Sequence, residues 1–197
     1  MLVLGSKLNN TPIMGLQTGT KLATTKTPVI DPSNLKILAY ELDGPLLVDR
    51  PSYLRTADIR ELSNIGMIVD SSEEFIARDD VIAIKKVCDL NFNLLGLNVV
   101  DDKKRKLGKV SDFTVDTNSF VIQQISVKRG VLKSLSETDL LIHRSQILEI
   151  SDYQIIVKSP TKKVAAIEKV QELTYLNPFR QSSPQTENSA IENRLAY

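Results

Sequence analysis

The feature that most constrains the fold of this chain is an internal repeat. Residues 12–31, PIMGLQTGTKLATTKTPVID, align without a gap with residues 97–116, LNVVDDKKRKLGKVSDFTVD, 85 positions further on, although only three of these twenty positions are identical. After an insertion of three residues, residues 58–71 align with residues 146–159, and six of these fourteen positions are identical. Because order, spacing and residue types recur together, the sequence predicts two copies of one structural unit.

Each copy contains short apolar runs separated by turn residues, which is typical of an all-β protein. In the second copy NVV and LGKVSDFTVD flank the polar run DDKKRK, and DTNS predicts a turn. In the following run FVIQQISV, Val121, Ile125 and Val127 are expected on one face, which Gln123 interrupts, so we expect this face to be partly buried. SQILEI and YQIIVKS predict a final pair of strands. Since short strands leave unpaired edges, we expect each copy to close as a small β-barrel around its own apolar core.

The repeat also divides the chain. We expect the first barrel at residues 1–72, the second at residues 93–160, and between them a linker at residues 73–92 that packs on the barrels. Ser71 and Glu74 have the spacing of a capping box, which predicts a helical turn, whereas the linker run DDVIAIKKV favours a strand.

The C-terminal part has a different pattern. After Pro160, apolar residues recur at helical spacing, which predicts an amphipathic helix at residues 161–176. Its apolar stripe is a candidate docking face, for the barrels or for a partner: Val164, Ile167, Val170 and Leu173. Residues 177–197 are rich in small polar residues and contain two prolines, so they are predicted to be a disordered tail.

The two-copy pattern resembles the PRC-barrel family. The resemblance rests on the run KLGKVSDFTVD, which has Gly108 after Leu107 and Asp116 at the end of the predicted strand. The first copy keeps the acid as Asp31 but has Ala23 in place of the glycine. The family includes the cytoplasmic domain of the photosynthetic reaction centre H subunit and the C-terminal domain of the RimM-type ribosome maturation factor. The resemblance therefore implies two tandem PRC-type barrels and suggests ribosome assembly as one setting.

Composition and motifs exclude several classes of function. The chain has a net charge of +1, so no global field attracts it to nucleic acid or anionic lipid. A single cysteine, Cys88, and a single histidine, His143, can form neither an internal disulfide nor a Cys/His zinc site. Neither phosphate-binding glycine motif nor a nucleophile elbow is present, and the adjacent carboxylates favour solvated turns. We therefore expect no enzyme, no metal and no cofactor.

The N-terminal residues MLVLGSKLNN lack the basic and apolar regions of a secretory signal, and no run approaches the length of a spanning helix. We therefore expect a cytoplasmic protein without membrane insertion.

One charged feature stands out in this balanced chain. Residues 97–197 carry fifteen basic and twelve acidic residues, against ten and twelve in residues 1–96. The basic residues concentrate at a predicted hairpin tip: Lys103, Lys104, Arg105, Lys106 and, close by, Lys109. These cations could neutralise RNA phosphates or contact an acidic partner, although Asp101 and Asp102 offset them and no aromatic residue is interleaved for stacking.

The sequence thus favours a non-enzymatic cytoplasmic adaptor that binds a protein partner through its barrel surfaces, in ribosome assembly or RNA processing. Two alternatives stay open: an RNA-binding module using the basic hairpin, and a small β-barrel enzyme with a cleft between the copies. Assembly into a homo-oligomer is also possible.

Overall fold

A computed structural model describes residues 1–45, 47–129 and 139–159 of the chain. These residues are predominantly β, as expected. The strands are β1 Leu2–Leu4, β2 Pro12–Gly15, β3 Lys21–Asp31, β4 Lys36–Asp43, β5 Ser52–Arg55, β6 Glu61–Ser63, β7 Gly66–Val69, β8 Phe75–Ala77, β9 Asn98–Asp101, β10 Lys106–Asp116, β11 Val121–Lys128, β12 Leu140–His143, β13 Ile147–Ile150 and β14 Gln154–Val157. One α-helix, α1, spans Ile82–Asp89, and short 3₁₀ helices span Gly5–Leu8, Thr56–Asp58, Ser72–Glu74 and Arg144–Gln146.

The described strands belong to one connected sheet. Its main path runs β13-β14-β9-β10-β11-β4-β3-β2-β7-β6, with β1, β12, β5 and β8 attached at the sides. Along this path the sheet is open, because β13 and β6 are its two ends. The expectation of two separately closed barrels is therefore corrected: the strands are largely where the sequence predicts them, but β11 and β4 join the two copies into a single sheet.

The same strand register occurs in both copies. In the β3–β4 ladder Thr24 lies opposite Asp43, and 85 residues later Lys109 lies opposite Lys128 in the β10–β11 ladder. The parallel pairing of β2 with β7 likewise recurs as β9 with β14. The two copies therefore share their backbone pairing as well as their sequence pattern.

Two equivalent turns form the junction between the copies. Asp31 and Asp116 each accept hydrogen bonds from the residues that follow, and the turns end at Leu35 and Phe120, both with positive φ, 55° and 53°. The amide of Ile37 donates to the Phe120 carbonyl and the amide of Ile122 donates to the Leu35 carbonyl, each at 2.8 Å. Because each copy donates to the equivalent carbonyl of the other, the junction has local pseudo-twofold symmetry.

The copies also share one apolar core, which corrects the expectation of two interiors. A single cluster of buried side chains includes Leu54 and Met67 of the first copy and Val99 and Ile155 of the second, all 0 % exposed. Burial of such side chains stabilises each by about 1.5–3 kcal/mol relative to exposure. The two halves are therefore held together both by this shared core and by the hydrogen bonds of the junction.

A β-bulge changes which residues of β11 face this core. Val121, Ile125 and Val127 were expected to share one partly buried face, but Ile122, Ile125 and Val127 are 0 % exposed, whereas Val121 is only partly buried. The register of β10 against β11 shifts between Thr114 and Val115, which moves the alternation by one residue.

The linker run DDVIAIKKV forms helix α1 instead of the predicted strand. Ile84, Val87 and Cys88 have helical spacing and pack with Val29 and Tyr53 in a second, smaller apolar cluster. Tertiary packing of this stripe outweighs the strand preference of valine and isoleucine. The predicted helical turn before it is confirmed as the 3₁₀ helix Ser72–Glu74, whose cap Ser71 accepts from the Glu73 amide.

The N-terminal strand lies on the second copy. β1 pairs antiparallel with the end of β10, and the Ser6 amide and hydroxyl donate to the Asp112 carboxylate at 3.1 and 2.6 Å. Gly5 faces the Phe113 ring so closely that a Cβ would lie 2.3 Å from it. The boundaries at residues 72 and 93 stay predictions, and the predicted helix at 161–176 and tail at 177–197 lie outside the described residues.

Candidate functional site

The basic run predicted from the sequence lies at the turn between β9 and β10. The turn is held by its backbone, since the Asp101 amide donates to the Arg105 carbonyl at 3.0 Å and the Lys104 amide donates to the Asp101 carbonyl at 2.9 Å. The cations predicted to contact RNA or an acidic partner are all exposed: Lys103, Lys104, Arg105, Lys106 and Lys109.

A buried carboxylate fixes this turn. Asp101 is 0 % exposed, and its Oδ1 accepts from the amides of Lys103 and Arg105 at 3.0 and 2.8 Å, while Oδ2 accepts from Arg105 Nε at 2.6 Å. Burial alone disfavours the charged form, but the hydrogen bonds from Arg105 and Lys103 outweigh it, so the pKa of Asp101 lies below its ordinary value. Arg105 therefore stabilises the turn through its ion pair with Asp101, whereas the side chains of Lys103, Lys104 and Lys106 form no ion pair among the described residues.

Strand pairing extends this basic surface across the sheet. Lys109 lies opposite Lys128 on one side and Asn98 on the other, and Asn98 lies opposite Gln154. We call Lys128, Lys109, Asn98 and Gln154 the polar row. The neighbouring residues Val127, Val110, Val99 and Ile155 are buried, so alternation directs the polar row to the other face of the sheet. Lys109 and Lys128 are both exposed.

Gly108 permits this arrangement. Its φ is +154°, and a Cβ at this position would lie 2.2 Å from the Lys128 carbonyl oxygen. Only glycine therefore lets the end of β11 lie this close to β10. The glycine on which the family resemblance rests thus sits beside both lysines of the polar row.

The first copy has the same backbone without these charges. Thr24 and Asp43 occupy the positions of Lys109 and Lys128, and the Thr24 hydroxyl donates to the Asp43 carbonyl at 3.1 Å. The turn equivalent to the basic tip is LQTGT, with the Gly15 amide donating to the Thr20 carbonyl at 3.0 Å. The cationic character therefore belongs to the second copy alone and is not required by the fold.

Sequence reasoning missed part of this surface. It did not include Lys128 and Asn98, which strand pairing brings beside Lys109, or Arg129, the exposed residue that follows Lys128. It noted that no aromatic residue is interleaved in the basic run, and it did not consider Tyr153, which is 69 % exposed and whose carbonyl accepts from Asn98 Nδ2 at 3.4 Å. The repeat could have pointed to Lys128. The interval of 85 residues that aligns Thr24 with Lys109 also aligns Asp43 with Lys128.

A cleft lies where the two copies and the linker meet. Its volume is about 530 Å³, within the range of small-molecule sites. It is lined by charged, amide, thiol and aromatic side chains, among them Lys26, Glu41, Tyr53, Arg78, Cys88, Asn91, Phe92 and Phe113. The structure therefore contains a cleft of the size that the enzyme alternative requires.

Two ionisable groups of this cleft, Tyr53 and Lys26, have pKa values displaced from their ordinary range. Burial raises the pKa of Tyr53 to about 12. The hydrogen bond from Lys26 to Glu41, at 2.8 Å, raises the pKa of that lysine. Both shifts lead away from neutral pH, whereas a general base or nucleophile works best with a pKa near the working pH.

His143 and Ser145, the other pair that could suggest catalysis, form a helix cap. The Ser145 amide donates to His143 Nδ1 at 3.2 Å, and the His143 amide donates to Gln146 Oε1 at 2.9 Å, which is a capping box at the 3₁₀ helix Arg144–Gln146. The two side chains also lie within hydrogen-bond distance, at 2.9 Å. Within the part of the chain that is described, this pair has a structural role.

The two copies differ in how their outer strands are covered. β5 pairs with β8 on its free side, and its Tyr53 lies under α1 at 7 % exposure. The equivalent strand β12 pairs only with β11 among the described residues. Leu141, the counterpart of Tyr53 opposite Ser126, is 59 % exposed. The described structure therefore leaves one apolar sheet edge uncovered.

The predicted docking face at Val164, Ile167, Val170 and Leu173 lies outside the described residues. In residues 1–45, 47–129 and 139–159 there is no group of three or more side chains suited to a metal ion. Among those same residues, none of the helices combines the length and apolar character needed to span a membrane.

Comparison with known proteins gives one family match. Residues 91–164 match the model of the PRC-barrel domain. A search of curated proteins found no match. A solved structure described as the 16S ribosomal RNA processing protein RimM from Pseudomonas aeruginosa aligns over 81 % of this chain and 98 % of its own, at 16 % identity and a TM-score of 0.29.

The family match covers β9 to β14, including the basic turn, Gly108 and the polar row. The resemblance found in the sequence is thereby confirmed. Residues 91–164 of this chain therefore match the PRC-barrel domain family.

Proposed function

We propose that this chain is a non-enzymatic adaptor that binds a protein partner at β12 of its second copy, a strand whose outer side no other described strand covers. The observation that carries the proposal is the contrast between Tyr53 and Leu141, which occupy equivalent positions at 7 % and 59 % exposure. In the first copy the chain covers this position with α1 and β8. The second copy offers the same surface to a partner.

Strand addition is the binding mode that this edge supports. β12 is a four-residue strand with one side paired to β11, and its other side can donate and accept main-chain hydrogen bonds. Ile142 points into the core at 3 % exposure, whereas Leu141 faces outward. A partner strand would thus gain main-chain pairing together with burial of Leu141, worth about 1.5–3 kcal/mol when complete.

The non-enzymatic part of the proposal rests on the cleft. Its Tyr53 and Lys26 have pKa values displaced from neutrality, and His143 is engaged in a helix cap. We propose no cofactor for the same reason.

We also propose that the two copies are a tandem duplication of one PRC-type module. The matching register of the β3–β4 and β10–β11 ladders supports this, because all six residue pairs of the first recur 85 positions later in the second. For the setting we propose cytoplasmic ribosome assembly or RNA processing, since the exposed cations of the second copy favour contact with RNA.

Site-specific photo-crosslinking tests the adaptor. A photoreactive phenylalanine analogue placed at Leu141 in the full chain should crosslink to a distinct protein in cells, and mass spectrometry identifies it. The same analogue at Leu16, which is 65 % exposed on the first copy, is the matched control and should not give this product. With the purified partner, Leu141→Asp should weaken binding at least about tenfold, because it places a charge where an apolar side chain is buried.

Three results would contradict the adaptor. Identical crosslinked proteins from positions 141 and 16 would indicate random encounters. Crosslinks only to another copy of this chain would indicate a homo-oligomer instead. An unchanged affinity of Leu141→Asp for the identified partner would place the interface elsewhere.

A further inference from the structure

We propose that the second copy binds single-stranded nucleic acid along the polar row, with phosphates at the exposed lysines and a base stacked on Tyr153. The surface comprises the polar row, Tyr153 and the neighbouring cations Lys103, Lys104, Lys106 and Arg129. It is independent of the protein partner proposed at β12, because it uses other residues and another class of ligand.

The first argument is that Lys109 and Lys128 form a like-charge pair, although the equivalent ladder of the first copy forms without one. Lys109 and Lys128 lie directly opposite each other, a placement that destabilises a sheet when both residues carry the same charge. The first copy has a threonine and an aspartate on the same ladder. Exposed lysines held side by side on a rigid sheet create a site for an anion that bridges them.

The second argument is that these cations are available. Among the described residues no carboxylate forms an ion pair with Lys109, Lys128 or Arg129. The buried Asp101 is engaged by Arg105 and holds the adjacent tip in one conformation. The site is therefore preorganised, and an incoming polyanion gains most of the electrostatic attraction.

The third argument is the shape of the surface. The polar row crosses four strands, about 14 Å at roughly 4.8 Å per strand, which is long enough for several consecutive phosphates. It begins with the two lysines and ends with the amides of Asn98 and Gln154. A linear chain of regularly spaced negative charges matches this geometry better than a single compact anion.

Tyr153 decides in favour of a nucleic acid. It is 69 % exposed and is joined through its carbonyl to Asn98 of the polar row. Exposed aromatic rings are the elements on which unpaired bases stack, and the backbone of Tyr153 adjoins the polar row. Amide side chains can also pair with the Watson–Crick edges of bases, which are free only in unpaired strands.

The test measures binding of the full chain to a fluorescent single-stranded RNA of mixed sequence, roughly 12 nucleotides long, by anisotropy at several salt concentrations. The double variant Lys109→Ser/Lys128→Ser should lower the slope of log K against log salt by about 1.4, since each single-strand phosphate contact contributes about 0.7. Tyr153→Ala should lower affinity at least about fivefold with little change in that slope.

The matched control is Lys21→Ser/Lys86→Ser, which removes two exposed lysines from the first copy and the linker. It should leave affinity and salt slope nearly unchanged. The Lys109/Lys128 variant should also have a Tm equal to or above that of the parent chain, because it relieves the repulsion across the ladder. A loss of binding can then be separated from a loss of folding.

The proposal is overturned if the control variant lowers affinity as much as the Lys109/Lys128 variant, since binding would then reflect net charge only. It also fails if the parent chain does not bind the RNA. If polyglutamate of equal charge displaces the RNA completely at equal concentration and Tyr153→Ala has no effect, the surface binds an acidic protein instead.

Discussion

Leu35 and Phe120 stand 85 residues apart, and each accepts a main-chain hydrogen bond from the opposite copy at 2.8 Å. Both are buried, at 4 % and 6 % exposure, in the core that the copies share. A disturbance at either residue therefore reaches both halves of the sheet.

The first prediction concerns the cooperativity of unfolding. Phe120→Ala should destabilise the chain by about 3–5 kcal/mol, because it leaves a cavity in the shared core. Hydrogen exchange followed by mass spectrometry should show an equal loss of protection in peptides from β3 and from β10. Leu35→Ala is the matched variant in the other copy and should give the same distribution. Lost protection confined to the mutated copy would show that the halves unfold separately.

The second prediction concerns Gly108. Gly108→Ala should destabilise the chain by about 1–3 kcal/mol, because it forces a side chain into positive φ and against the Lys128 carbonyl. Urea unfolding measures this loss. The equivalent position already holds a side chain, so Ala23→Gly should cost less than about 1 kcal/mol. Equal losses at the two positions would indicate that the close approach of β11 to β10 is unimportant.

The third prediction concerns acid stability. The pKa of Asp101 is lower in the folded chain than in the unfolded one, so its contribution is complete above the ordinary aspartate pKa of 3.8 and is lost as the pH falls through the lower folded value. Asp101→Asn should therefore lower Tm at pH 7 and flatten its decline below about pH 4. Circular dichroism during heating measures both. Asp152→Asn, at an exposed residue of the same copy, should change neither.

The fourth prediction concerns alkaline stability. Burial raises the pKa of Tyr53 to about 12, so the proton bound by the folded chain contributes stability below the unfolded tyrosine pKa of about 10, and that contribution is lost as the pH rises toward 12. The difference in absorbance at 295 nm between the parent chain and Tyr53→Phe should thus show a tyrosine that ionises near pH 12. A titration midpoint near 10 would mean that α1 does not cover this residue.

Local features of the fold were predictable because they depend on neighbouring residues. The strand alternation, the Asp116 turn and the exposed basic tip all follow from short stretches of sequence, and the structure confirms them. The helical spacing of Ile84, Val87 and Cys88 was also readable, but the strand preference of the same run concealed it until its packing against Tyr53 was known.

Features that depend on distant pairing were not predictable in this way. The junction between Leu35 and Phe120 merges two expected barrels into one sheet, and no local pattern specifies it. The bulge that buries Ile122 in place of Val121 depends on how β10 and β11 meet. The polar row also depends on distant pairing, since only the register places Lys128 on one side of Lys109 and Asn98 on the other.

Because the β3–β4 ladder has the same register as the β10–β11 ladder, surface residues of one copy can be transferred to the other. Thr24 and Asp43 hold the places that Lys109 and Lys128 hold in the second copy, on a backbone paired in the same register. Lysines installed at these two positions would give the molecule a second basic face without any new fold. Changes of surface side chains alone are thus enough to give the two halves different ligands.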